Sequence, residues 1–278
     1  MKAKLEFTGT GGELFVKLLV GYLLSAITLG IYMPWFMVKL QKYMYEKTSL
    51  KGTGRGDLTF QFNATGGQLF VLLLVGYLLC IITIGIYTPW FMAKWIRFFA
   101  DNSVARAADG TTYRMRFDAT GGELFVTLLV GYLLSMITFG IYAPWFSCKL
   151  EKLLSQRTAL LQGETQIGSC DFLGAGGQLF VTMLVGYLLT MITLGIYGMW
   201  FQVKLIKWFA NNMRYIIGQA RYTSDFTGTG GQLFVKVLVG YLLTLITLGI
   251  YGAWFMAELI HYHADNTFFV PEGSVATE

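Results

Sequence analysis

One long string recurs five times in this chain, and this repeat constrains the fold more than any other feature. Each copy opens with a Gly-Gly pair, and successive pairs are 55, 55, 55 and 54 residues apart. The first copy reads GGELFVKLLVGYLLSAITLGIYMPWFMVKL and the fifth reads GGQLFVKVLVGYLLTLITLGIYGAWFMAEL. Such self-similarity indicates one structural unit used in tandem. The predicted units are 1–56, 57–111, 112–166, 167–221 and 222–264, followed by a polar C-terminal tail, 265–278.

The composition favours a membrane protein. Of 278 residues, 55% are hydrophobic and 13% are charged, whereas soluble domains carry about 25% charged residues. The formal net charge is +5. In a membrane protein such an excess is more typical of the cytoplasmic face than of a nucleic-acid partner. We therefore expect no nucleic-acid binding.

A capping signal precedes the first helix of four units. Thr followed three residues later by Glu or Gln forms a capping box, in which each side chain binds a free amide of the first helical turn. The boxes are Thr10 with Glu13, Thr65 with Gln68, Thr120 with Glu123, and Thr229 with Gln232. A helix from Gly11 to Gly30 would be about 30 Å long, which equals the hydrocarbon thickness of a bilayer. The pattern predicts a transmembrane helix, helix A, in each unit.

A break and a second, shorter helix follow helix A. Proline suits the first turn of a new helix, and glycine permits a bend. The predicted helix-break residues are Pro34, Pro89, Pro144, Gly198 and Gly252. The next segment, helix B, is short and amphipathic, which is typical of an interfacial helix. Its tryptophans are predicted interfacial anchors: Trp35, Trp90, Trp145, Trp200 and Trp254.

One charged position on helix B recurs in all units. It is occupied by Lys39, Lys94, Lys149, Lys204 and Glu258. If the units surround an axis, these side chains could line an ion path. Alternatively, the lysines snorkel to lipid phosphates at the membrane surface. We predict that this set is lipid-facing or pore-lining.

The segments between units predict short strands and decide the topology. Alternating strings at Leu58–Phe62, Tyr113–Phe117 and Tyr222–Phe226, with poorer ones elsewhere, indicate up to five strands, one before each helix A. From the shared basic position to the next cap, the linkers carry five, five, three and four Lys plus Arg. This even distribution favours cytoplasmic linkers and five helical hairpins. Single crossings stay open, because alternate units resemble each other. The predicted fold class is an α-helical integral membrane protein with short β-strands and five tandem helix-pair repeats.

Several strings resemble a known family. FTGTGGELF, ITLGIYMPWF and the lysine that follows resemble the YjgN-like bacterial inner-membrane proteins, and the resemblance touches all five units. It implies location in the bacterial inner (cytoplasmic) membrane and supplies no chemistry.

No repeated catalytic or metal-binding pattern is present in the sequence. Ser-His-Asp sets and H-E-x-x-H are absent, and both histidines, His261 and His263, lie in the fifth unit. Glu258, His261, His263 and Asp265 cluster in the sequence, but aligned units replace them, so neither a metal nor a cofactor is expected. The three cysteines are isolated and suggest fillers. We expect a non-enzymatic structural or scaffolding membrane protein that binds anionic lipid and joins a homo-oligomer or a larger membrane complex. The alternative is a channel or transporter with a lysine-lined path.

Overall fold

A closed barrel of ten antiparallel strands forms the centre of the protein in a computed structural model, which describes residues 2–54 and 56–272. The strands are β1 (Ala3–Phe7), β2 (Thr48–Thr53), β3 (Gly56–Phe62), β4 (Ser103–Ala107), β5 (Thr112–Phe117), β6 (Thr158–Gln162), β7 (Thr165–Phe172), β8 (Met213–Ile217), β9 (Ala220–Phe226) and β10 (Thr267–Pro271). Strands that follow one another in the chain are neighbours in the barrel, and β10 pairs with β1 through Ala3 and Phe269. Every described strand therefore has a partner on both sides, which removes the free edges of the sheet.

Apolar side chains on one face of the strands pack in clusters with side chains of the helices. In β1, Ala3 and Phe7 are buried, whereas Lys4 and Glu6 between them are partly exposed. This period of two is the pattern expected when one face of a strand is covered. The last residue of every odd-numbered strand is a buried phenylalanine: Phe7, Phe62, Phe117, Phe172 and Phe226. These rings meet the helices above them, so the core continues from the barrel into the helical layer.

Each unit inserts a helix pair between its two strands, and all five pairs therefore leave the same end of the barrel. The helices are α1 (Gly11–Ile27), α2 (Met33–Glu46), α3 (Gly66–Ile82), α4 (Thr88–Asp101), α5 (Gly121–Ile137), α6 (Ala143–Gln156), α7 (Gly176–Ile192), α8 (Gly198–Asn212), α9 (Gly230–Ile246) and α10 (Gly252–Asp265). Odd-numbered helices are the A helices, and even-numbered helices are the B helices. A five-residue turn joins A to B, as at Thr28–Tyr32 in the first unit.

Glycines let the helices approach closely. Within a unit, Gly21 of α1 lies against the ring of Phe36 on α2, and a Cβ atom there would overlap that ring. Between units, Gly66 at the start of α3 lies against Trp35 of α2, whose Cα would be 2.7 Å from an added Cβ. Trp254 of α10 meets Gly11 of α1 in the same way. The helices therefore close into a ring above the closed barrel.

The predicted fold class is wrong, and so are the transmembrane helices and helical hairpins assigned to it. The architecture is a closed ten-stranded β-barrel. Within the described ranges, no helix combines the length and the apolar character that a membrane crossing requires. The physical reason is local: α1 ends at Ile27, three residues before Gly30, and each linker supplies two strands where at most one was predicted.

The structure also changes the picture of the chain ends. Thr267–Pro271 lies in the predicted polar tail but forms β10, the strand that closes the barrel. Residues 273–278, the last six of that tail, lie outside the described residues. The first four predicted unit boundaries fall in or near the turns between paired strands, and the last, between residues 264 and 265, falls within α10. Residue 55, next to the first boundary, also lies outside the described residues.

Candidate functional site

The A helices expose apolar side chains over a broad continuous face. On α1, Val16, Leu19, Val20, Leu23 and Ile27 are each about half exposed or more. The corresponding positions of the other A helices are also exposed and apolar. An exposed apolar surface of this extent marks contact with a membrane or a partner. We call these faces, together with the turn residues described next, the apolar crown.

The most exposed residues of the crown lie in the turns between A and B helices. We call them the tip residues: Leu29, Ile84, Phe139, Leu194 and Leu248. Their exposed fractions run from 93% to 97%, and each has a positive φ of 49° or 50°. A left-handed backbone costs an L-residue roughly 1–2 kcal/mol, and Gly or Asn usually occupies it. Because these side chains gain no packing within the chain, their benefit must come from outside it.

Threonine holds each tip turn in place. The Thr28 hydroxyl donates to the Leu24 carbonyl at 2.7 Å and accepts from the Tyr32 amide at 3.0 Å. The same two bonds occur in the other four units. The tip residues are therefore presented in one fixed direction.

The predicted charged set lies below the crown, on the B helices. Lys39, Lys94 and Lys149 place their ammonium groups 5.4, 5.6 and 5.5 Å from the centre of a tyrosine ring in their own unit. Lys204 is exposed on α8. Glu258 pairs with Lys236 of its own unit at 2.8 Å. The contacts of these side chains thus lie within single units, and a shared ion path stays a prediction.

The predicted tryptophan anchors join neighbouring units. Trp35 lies against Gly66 of the next unit, and its ring centroid is 5.4 Å from that of Phe70. The equivalent contacts of the other units involve Trp90, Trp145, Trp200 and Trp254. Each tryptophan is therefore committed to the joint between a B helix and the following A helix.

The predicted caps and break residues lie at helix starts. All four capping boxes are formed, whereas Ala175 of the fourth unit gives α7 no side-chain cap. Pro34, Pro89 and Pro144 lie in the first turn of their B helices, and Gly198 and Gly252 begin α8 and α10. The chain reverses in the tip turn just before them. These residues start the second helix, and the threonine turn makes the reversal.

Ion pairs join two of the caps to the ends of the B helices. The Glu13 carboxylate accepts from Lys47 at 2.8 Å and from Tyr43 at 2.9 Å. These bonds and the cap lower the pKa of Glu13 from 4.5 to about 2. In the third unit Glu123 pairs with Arg157 in the same arrangement. The start of helix A and the end of helix B are thereby joined at the base of the crown.

The histidines contribute to packing. His261 Nε2 donates to the Gly9 carbonyl at 2.9 Å, across the joint between the fifth and first units. His263 packs near Phe226, and burial lowers its pKa. Across residues 2–54 and 56–272, no group of three His, Cys, Asp or Glu side chains could hold a metal ion.

Sequence reasoning missed the tip residues. The signal is present as Thr-x-Gly-Ile-Tyr, with a large apolar residue directly before glycine in every unit. We read this string as the end of a longer helix, although Thr and Gly at this spacing also suit a turn. The left-handed backbone and the exposure follow from the turn.

A crown of this kind on a closed barrel is typical of a protein built from tandem units that contacts a membrane or a partner. Residues 2–54 and 57–107 match a family described as "Bacterial protein of unknown function (DUF898)". The chain is 43% identical over 82 residues to the inner membrane protein YjgN of Salmonella typhimurium. The aligned segment covers 30% of this chain and 20% of that protein. It is 40% identical over 65 residues to YjgN of Escherichia coli K12, and this aligned segment covers 23% of this chain and 15% of that protein.

These comparisons confirm the resemblance to the YjgN-like inner-membrane proteins, and with it the inner-membrane location predicted from the sequence. The matched part spans a fifth or less of the length of these relatives. No solved structure matches the chain.

Proposed function

We propose that this protein is a non-enzymatic structural membrane protein whose apolar crown is embedded in one leaflet of the inner membrane. The observation that carries the proposal is the crown itself, with five tip residues that are at least 93% exposed. Fully burying such side chains in lipid would contribute about 1.5–3 kcal/mol each. Over five units the gross gain is roughly 8–15 kcal/mol, enough to offset the cost of association.

The height of the crown supports insertion into a single leaflet. Lys17 on α1 and Lys39 on α2 both lie about 10 Å above the barrel end of their helices, at 1.5 Å per residue. From Lys17 to Ile27 the helix rises about 15 Å without another charge. That rise is half of the roughly 30 Å hydrocarbon core of a bilayer. The lysines would then lie at the level of the lipid phosphates.

The basic side chains below the crown support binding to anionic lipid. A lysine near an anionic surface contributes about 1 kcal/mol. Four of the five units carry a lysine at the Lys39 position. By the positive-inside rule we place the barrel and its basic strands on the cytoplasmic side. The protein would displace lipid from the cytoplasmic leaflet and order the membrane around the ring.

Assembly with other copies or proteins forms a further part of the proposal. Each described strand already has two partners, so a neighbouring chain cannot extend this sheet. A contact between copies would have to use the crown or the outer barrel surface. The scaffolding role therefore predicts association within the membrane and no shared β-sheet.

Depth-dependent fluorescence quenching tests the proposal. A parent without Cys80, Cys148 and Cys170 would carry one labelled cysteine, either Leu29→Cys at a tip or Glu164→Cys in an exposed turn at the opposite end of the barrel. In vesicles, lipids with quenchers near the acyl-chain ends should quench the tip label strongly and leave the label at residue 164 unaffected. Equal quenching of the two labels would refute insertion, and access of the tip label to a water-soluble quencher on the far side would refute a single leaflet.

A further inference from the structure

The first unit contains a groove with cations on both walls. Groove 1 is a cavity of about 350 Å³ between α1 and α2. Its walls include Lys17 from α1 and Lys39 and Lys42 from α2. Val16 and Val20 line the side that continues into the crown. The groove thus combines a basic base with an apolar exit.

The charge of groove 1 is not balanced from within the protein. Among the described residues, no carboxylate lies within 4 Å of the ammonium groups of Lys17, Lys39 or Lys42. The Lys39 ammonium donates to the Tyr32 hydroxyl at 2.7 Å, and the Lys17 ammonium lies 4.9 Å from the centre of the Tyr43 ring. Glu46 also lines the groove and leaves two positive charges in excess. Glu13, one turn before Lys17, is already held by Lys47 and Tyr43.

The fifth unit shows the same groove in a neutral form. Groove 5, about 610 Å³, includes Lys236 and Glu258, which occupy the positions of Lys17 and Lys39. Their side chains form an ion pair at 2.8 Å. His261 replaces Lys42 and donates to the Gly9 carbonyl. In groove 5, Glu258 supplies the negative charge from within the protein, and its ion pair with Lys236 joins the two helices that form the groove.

The other three units lack the cation on helix A. The position of Lys17 holds Leu72, Thr127 and Thr182. In the second unit Arg97, at the position of Lys42, donates to the carbonyls of Phe117 and Ala119. Two opposed cationic walls therefore occur in the first unit without an internal partner.

We propose that groove 1 binds the phosphate of one anionic phospholipid. Lys17 and Lys39 would contact phosphate oxygens from opposite sides, because compact ammonium groups suit phosphate as point charges. The acyl chain would follow Val16 and Val20 toward the tip residues. This inference rests on the proposed function, since the crown brings the groove to the lipid surface. It adds a defined site with a stoichiometry of one.

Two charge exchanges between the grooves test this site. Lys39→Glu copies the ion pair of groove 5 into groove 1, and Glu258→Lys removes that pair from groove 5. Purified protein would be titrated with phosphatidylglycerol, and retained lipid would be counted by native mass spectrometry. We expect one retained lipid for the parent, two for Glu258→Lys and at least a tenfold weaker retention for Lys39→Glu. Arg106→Glu, at an exposed position of β4, makes the same charge change as a control and should retain one lipid.

Four outcomes would overturn the assignment. Unchanged lipid retention by Lys39→Glu would exclude groove 1 as the lipid site. An equal loss of lipid in Arg106→Glu would show that the effect depends only on net charge. Inorganic phosphate serves as a second probe, and its binding to lipid-free protein as tightly as the lipid would assign the site to a free phosphate. Vesicle flotation is measured in parallel, and all variants should float because the crown is unchanged. Failure of the parent to float would count against the proposed function. Normal flotation without a retained lipid in the mass spectrum would count against groove 1 alone.

Discussion

Replacing all five tip residues with asparagine should separate membrane binding from folding. Asparagine tolerates the left-handed backbone that each tip residue adopts, whereas leucine, isoleucine and phenylalanine are strained there. The native side chains are 93–97% exposed and therefore contribute almost no packing. The substitution should leave the melting temperature unchanged or raise it, with the largest gain at the β-branched Ile84.

The loss of membrane affinity can be bounded from the same exposures. Each replacement removes about 1.5–3 kcal/mol of lipid burial, and an asparagine placed in lipid costs more. Even if a third of the lower total of roughly 8 kcal/mol is realised, the vesicle partition coefficient should fall about a hundredfold. The assay is flotation on vesicles of mixed neutral and anionic lipid, with the melting temperature measured in the same detergent-free buffer.

A control shows whether position or mere hydrophobicity matters. Leu173 and Ile217 are exposed apolar residues outside the crown, and their replacement by asparagine should leave flotation unchanged. If the variant with five asparagines floats like the parent, the tips do not enter lipid. If its melting temperature falls by several degrees, the tips stabilise the fold and our reading of the strain is wrong.

Four single substitutions test the construction of the unit. Gly66→Ala should lower the free energy of unfolding by about 1–3 kcal/mol, because the added Cβ would overlap Trp35 of the preceding unit. Gly67→Ala has open space around it and should be neutral or slightly stabilising. Chemical denaturation compares the two variants. Ala175→Thr should complete the missing capping box and raise that free energy by about 1 kcal/mol, and no change would mean that the fourth cap is satisfied in another way. Because the folded-state pKa of Glu13 is lowered to about 2, the stability it provides is present above pH 4.5 and is lost as pH falls toward 2. Glu13→Gln keeps the cap but loses the ion pair with Lys47, so its melting temperature should vary less across that pH window than that of the parent.

The sequence carried clear information about the unit and its helix starts. The Thr-x-x-Glu signal at Thr10 places the start of α1 at Gly11, and the structure begins the helix at that residue. The alternating string ending at Phe62 lies in β3. These features depend on residues close in the chain, and local rules suffice for them.

The barrel required information that local patterns do not contain. β2 and β4 read TSLKGT and SVARA, which alternate poorly. The closing pair joins Ala3 to Phe269 across almost the whole chain, and no motif encodes it. Hydropathy was also a misleading signal. The apolar residues of α1 suggested a membrane span, but the turn that begins at Thr28 limits this helix to 17 residues.

The candidate site divides in the same way. Lys39 and its equivalents stand out in the sequence because they recur at one position. The importance of Lys17 is visible only when α1 and α2 lie side by side and place it opposite Lys39. The tip residues were hidden for another reason: their significance lies in a positive φ, which side-chain type alone predicts only for glycine and asparagine.

The two strands that each unit brings to the barrel have a consequence for how such chains can grow. Every added unit supplies an antiparallel pair, so the total is always even and the last strand always meets the first in the antiparallel sense. At about 4.8 Å per strand, one unit more or less changes the circumference by roughly 10 Å without altering the topology. Duplication of a unit therefore widens the ring and adds one tip residue. The membrane area that the crown covers would thus increase with the number of units.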